Sequence, residues 1–245
     1  NETILALGNG IGSNISNIAL VFCISMLFIK KNTNSFSMPL KPFISMIFIS
    51  ITLFFLIVFD SFFDMYDSIV LIIVLLISFY YFINSDTKNI QAEKNEKSLL
   101  AILSFFIIGL LMLIYGSDLF INGATDIALM LGVSSYVIGL TLTALGTSLP
   151  ELSASIQSAR KGYHDFIIGN IIGSNIFNIA VAVALAGLIN STSVDINDFI
   201  RDISIFLLSV LIFYLIVNTN KNLIRTVYSI ALVITYILYV LYLLK

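Results

Sequence analysis

The decapeptide Gly8–Asn17, GNGIGSNISN, returns 161 residues later as Gly169–Asn178, GNIIGSNIFN. The copies differ only where Gly10 corresponds to Ile171 and Ser16 to Phe177. Both copies sit in long apolar runs, and about 20 apolar residues in a helix cross a bilayer's hydrocarbon. Glycine and serine let helices approach closely there. Amides and hydroxyls at that depth need partners, because no water is available. A stretch this rich in Asn and Ser is therefore more than a packing surface.

The rest of the chain has the composition of a membrane protein. Hydrophobic residues make up 59 % of it and charged residues 11 %, against about 25 % charged in soluble domains. Mean hydropathy is +1.04. One cysteine, Cys23, excludes an internal disulfide framework and reads as a packing residue. The single histidine, His164, excludes a multi-histidine metal site and reads as a solvated loop residue. A net charge of −2 gives no footing for nucleic acid. Nothing pairs a nucleophile with a base, so the chain is not read as an enzyme.

Hydropathy places eight spans near Leu5–Ile29, Phe43–Phe59, Ile69–Ile83, Leu99–Tyr115, Tyr136–Ala159, Phe166–Ile189, Phe199–Val217 and Val227–Leu244. The fold expected is all-α, a polytopic transmembrane helical bundle. Alternating the loops puts ten of the twelve basic residues on one side, and only Arg201 and Lys245 on the other. Basic residues collect on the cytoplasmic side, so both ends of this chain are expected outside. The two decapeptides lie on spans one and six, an odd number apart, so their helices run in opposite directions. That is an inverted-topology repeat, an architecture of secondary transporters. The polar stretch Asn84–Ser98 reads as a cytoplasmic loop between residues 1–83 and residues 99–245.

Span five carries the chemistry. It contains Gly146–Glu151, GTSLPE. Pro150 lacks an N–H and disturbs the preceding turn, so carbonyls near Ala144–Thr147 are expected to lose their helical partners. An ionisable residue within a span is costly and marks function by default, which singles out Glu151. Carbonyl, hydroxyl and carboxylate oxygens together suit a hard cation such as Ca²⁺. Spans seven and eight show no polar motif and read as scaffold.

GTSLPE at Gly146–Glu151 followed by GNIIGSNIFN resembles the second alpha repeat of the cation/calcium exchanger superfamily, with prokaryotic sodium/calcium exchangers the most alike. GNGIGSNISN resembles the latter half of the first alpha repeat, and Gly116–Ala128, GSDLFINGATDIA, the long helix before the second. The resemblance implies ten helices in two inverted halves, eight of them present here. The first GTSxPE segment would precede Asn1, which implies an N-terminal truncation and half of an ion site in this chain. It also implies roles. Glu151 becomes the main Ca²⁺ ligand, also serving Na⁺. Thr147 and Ala144 offer carbonyls and Ser148 a hydroxyl. Ser13 and Ser174 ligate Na⁺, and Asn17 and Asn178 line the central site. Asn178 stands where many prokaryotic relatives have Asp.

The function implied is a Na⁺/Ca²⁺ antiporter of the cell membrane serving calcium homeostasis, with no cofactor, the bilayer as surroundings and the two ions as substrates. Two alternatives stay open. One is an H⁺/Ca²⁺ or other divalent-cation antiporter of the same fold. The other is a non-transporting membrane protein or inactive gene fragment. Oligomeric state is not legible.

Overall fold

In the computed structural model, which describes residues 2–29, 36–83 and 99–244, each expected span forms a helix. They are α1 (Glu2–Leu27), α2 (Leu40–Asp60), α3 (Met65–Ile83), α4 (Leu99–Met130), α5 (Ser135–Lys161), α6 (His164–Ile189), α7 (Ile196–Asn218) and α8 (Asn222–Leu243). Among the described residues, six of these are long and apolar enough to cross a membrane: α1, α2 and α5–α8. The loop Asn84–Ser98 lies outside the described residues.

Polar residues end the helices where the apolar runs stop. Asp64 Oδ1 accepts from the N–H groups of Tyr66 and Asp67 at 2.7 and 3.1 Å, and Asp67 Oδ2 accepts from Asp64 N–H at 3.1 Å. This is a reciprocal cap at the start of α3. At the start of α7 Asp195 is a one-way cap, accepting from Asn197 and Asp198 N–H. Several acids of the acidic loops are therefore helix caps. Gly162 closes α5 at φ +84°, the left-handed conformation glycine adopts without strain.

Contacts between loops follow the alternation. Thr3, at the start of α1, donates to the carbonyls of Ala186 and Asn190 at the end of α6. Those two helices therefore run antiparallel, as the inverted repeat requires. At the other end, Ser37 donates to Asp165, and the Arg225 guanidinium lies 4.4 Å from the centre of the Phe36 ring.

Three features depart from expectation. First, a short antiparallel bridge joins β1 (Phe62–Phe63) to β2 (Thr192–Ser193), tying the α2–α3 loop to the α6–α7 loop. No alternating run announces it, because two residues are too few. Second, α4 runs on to Met130, past the hydropathy boundary at Tyr115 and through Gly116–Ala128, the stretch whose resemblance implied a long helix. Thirty-two residues make about 48 Å of helix, longer than the roughly 30 Å hydrocarbon core. Third, His164 is the first residue of α6, with its ring edge-on to Phe36.

α1 is the central helix: 78 % of its most apolar window is buried, against 22 % in α8. α8 instead exposes Leu223, Ile234, Leu238 and Leu241. Such a face is costly in water and ordinary in lipid.

α7 and α8 carry more than scaffold. Asp202 is fully buried. It accepts from Arg201 Nε at 2.6 Å and Nη2 at 3.0 Å, and from the Tyr239 hydroxyl at 2.6 Å. Hydropathy alone missed this, since a lone Asp near a helix start reads as a loop residue. Removing one partner strands a buried carboxylate. Arg201→Met is expected to cost about 3 kcal/mol and Tyr239→Phe about 1–2 kcal/mol. Thermal unfolding of the two variants should rank them in that order.

Candidate functional site

The two decapeptides meet at the centre of the bundle. Asn178 Nδ2 donates to Asn14 Oδ1 at 3.0 Å, and Asn17 Nδ2 donates to Asn175 Oδ1 at 3.1 Å. These are the same bond made twice, once in each direction between the copies. Asn14 Nδ2 also donates to the Asn175 carbonyl, 161 positions away. Buried amides must find partners, and here each copy supplies the other's. Both copies then open into matching π-helical turns, Asn17–Phe22 and Asn178–Val183. Such turns inside α-helices gather at functional sites.

α5 lies against the first copy. A Cβ on Gly8 would meet the Tyr136 carbonyl oxygen, and one on Gly12 the backbone of Leu140. The glycines exist so that α5 can seat there. The matching glycines of the second copy, Gly169 and Gly173, have nothing within 4 Å of that position among the described residues. They line instead an open cavity of about 580 Å³ with Glu151, Phe166, Asn170, Ser174, Phe177 and Asn178.

Glu151 reaches this cavity from the second part of α5, which restarts at Leu149 with Pro150 in its first turn, where the missing N–H costs nothing. Ser174 donates to its Oε1 at 3.3 Å, while its Oε2 is buried with no partner among the described residues. A turn earlier, the Ser13 and Thr147 hydroxyls lie 3.0 Å apart, and both also reach Asn9 Oδ1 at 3.2 Å. The Ser16 and Ser148 hydroxyls lie 2.7 Å apart. Among the described residues no three His, Cys, Asp or Glu side chains cluster. One carboxylate and many neutral oxygens therefore make up the donor set, which is hard-cation chemistry.

The expected residues do not all gather in one place. Glu151, Ser174 and Asn178 line the cavity. Ser13, Thr147 and Ser148 form the hydroxyl cluster beside it. Asn17 does not line the cavity; it is 1 % exposed, and its Oδ1 has no partner. The Ala144 carbonyl is not free either. It accepts from Ser148 N–H at 3.1 Å and from the Thr147 hydroxyl at 3.3 Å. The helix stops at Thr147 and restarts at Leu149, so Pro150 lies in a new first turn and does not strip that carbonyl; a separate π-helical turn spans Gly139–Thr143. Asn9, Asn14, Ser16 and Asn175 went unassigned in the sequence, although the polar richness of the repeat was their signal.

An inverted helical repeat with a carboxylate and amides at its centre defines an integral membrane protein of the secondary-transporter class. The family model for sodium/calcium exchanger proteins matches residues 1–84 and 101–245. The chain belongs to the sodium/calcium exchanger family. It is 35 % identical over 190 residues to an uncharacterised membrane protein of Methanocaldococcus jannaschii, covering 75 % of this chain and 60 % of that one. It is 44 % identical over 108 residues to the sodium/calcium exchanger MaX1 of Methanosarcina acetivorans, covering 44 % of this chain and 31 % of that protein. The chain thus spans well under two thirds of these relatives. The fold matches the sodium-calcium exchanger NCX_Mj soaked with 10 mM Na⁺ and zero Ca²⁺, with a TM-score of 0.70 and 30 % identity, covering 97 % of this chain and 77 % of that one.

Proposed function

We propose that the protein is a secondary antiporter that exchanges Na⁺ for Ca²⁺, and that Glu151 is its charged ligand. The observation that carries this reading is the second carboxylate oxygen of Glu151, buried and unpartnered beside an open cavity. A cation supplies what that oxygen lacks. Thr147, Ser148, Ser13, Ser174, Asn17, Asn178 and the Ala144 carbonyl complete the proposed ligand set. A carbonyl oxygen has two lone pairs, so the bonds that Ala144 accepts leave room for ligation.

The bare face of Gly169 and Gly173 has room for a helix seated as α5 is on Gly8 and Gly12. A second carboxylate-bearing segment there would balance a divalent ion in low dielectric, where an unpaired charge is expensive. The hydroxyls favour Na⁺ as the counter-ion, because a proton needs no ligand shell. The gathering of basic residues on one side supports a C-terminus outside the cell membrane.

The test is uptake of Ca²⁺ into sealed vesicles holding the full-length protein, loaded with Na⁺. Uptake that needs the outward Na⁺ gradient is expected. Uptake driven only by a proton gradient would keep the site and move the coupling to H⁺. No uptake under either gradient would refute exchange.

A further inference from the structure

We infer that Ser16 is a positioning residue that sets the polarity of the Ser148 hydroxyl, turning it into an acceptor for a cation. This rests on the ion-site reading above.

A hydroxyl has one proton and two lone pairs. To ligate a cation it must point its proton elsewhere. Ser16 is wholly buried, and its Oγ lies 3.2 Å from the Ser13 carbonyl and 2.7 Å from Ser148 Oγ. Either hydroxyl can donate in the 2.7 Å contact, whereas the Ser13 carbonyl can only accept. With the Ser16 proton assigned to that carbonyl, the contact is carried by the Ser148 proton, donated to Ser16. Both lone pairs of Ser148 are left for other partners. Ser148 lies three residues before Glu151, the spacing that puts two helical side chains on one face.

Ser16 is also one of only two places where the repeats differ. Its counterpart Phe177 is 56 % exposed and lines the cavity. The second copy builds the same crossed amide bonds without a hydroxyl at this position. The motif's fold therefore does not require Ser16, and its one polar contact outside α1 is with the serine of GTSLPE. Asn9 Oδ1 lies 3.2 Å from both the Ser13 and the Thr147 hydroxyl, and the Thr147 hydroxyl also has the Thr143 carbonyl at 3.0 Å.

The experiment measures half-saturating Ca²⁺ and maximal rate of uptake by the full-length protein in vesicles, for S16A, S16C, S16T, S148A and the S16A/S148A pair. S16A and the isosteric S16C, a poor acceptor, are expected to raise half-saturating Ca²⁺ roughly 5- to 10-fold, the size of one neutral hydrogen bond. Maximal rate should stay within about twofold. S16T, which keeps the hydroxyl, should restore wild-type affinity, and the pair should be no worse than S148A alone. The inference is overturned if S16A and S16C leave half-saturation unchanged while S148A raises it, or if the two effects add. It is also overturned if S148A has no effect, while loss of uptake in Glu151→Gln would still uphold the ion site. Unchanged uptake in Glu151→Gln would instead overturn the ion-site reading itself.

Discussion

Glu151→Gln is expected to abolish Na⁺-dependent Ca²⁺ uptake while leaving the protein folded. Glutamine keeps the shape of the side chain and can still accept from Ser174 through its Oε1. What it removes is charge. Unit charges 4 Å apart at an effective dielectric of 20 attract by about 4 kcal/mol, and a divalent ion doubles the figure. Even 2 kcal/mol of lost attraction weakens binding roughly 30-fold. The measurement is ⁴⁵Ca²⁺ uptake beside a thermal melt of the same preparation. A variant with an unchanged melt and no uptake places the charge in the ion path. A variant that transports normally removes Glu151 from the mechanism.

Gly12→Ala has the largest expected effect on stability. The added methyl would meet the carbonyl oxygen, carbonyl carbon and Cα of Leu140, all backbone atoms that no rotamer change can move. Overpacking typically costs about 1–3 kcal/mol when side chains can give way; here α1 and α5 must separate. A drop of roughly 6–10 °C in melting temperature is expected. Gly173→Ala is the matched control in a chain of residues 1–245, because the repeat-related methyl meets nothing within 4 Å among the described residues. Alanine outranks glycine in a helix by about 1 kcal/mol, so there the control should melt no lower than the parent. In the full-length protein, where the proposed second segment seats on Gly169 and Gly173, equal damage at both positions is expected, and a harmless Gly173→Ala would overturn that seating.

How much of this was legible beforehand depends on the kind of residue. The helices were, because a bilayer demands long apolar runs and tolerates few interruptions. Their alternation was too, because ten of the twelve basic residues fall on one side. The end of α4 was not legible in hydropathy, because GSDLFINGATDIA mixes polar and apolar residues; only its resemblance to a long helix pointed there, and α4 does run through it. Asp202 looked like one more loop acid, since its burial depends on Arg201 beside it and on Tyr239 from another helix. The Ala144 carbonyl shows the opposite error. Pro150 sits in the first turn of a restarted helix, so the break falls at Ser148 and the Ala144 carbonyl keeps its helical partner.

By itself the sequence determined the membrane, the inverted pair of decapeptides and the carboxylate in span five. Each of these is a local property: composition, identity between two stretches, or a charge where charge is expensive. Only the tertiary structure decided which oxygens face which. The crossed pairs Asn14–Asn178 and Asn17–Asn175, the cover over Gly12 but not Gly173, and the contact of Ser16 with Ser148 all join segments far apart in the chain. Spacing along the chain carries no information about such pairings. They are set by how closely glycine lets two helices approach, and by the need of every buried polar group to find a partner.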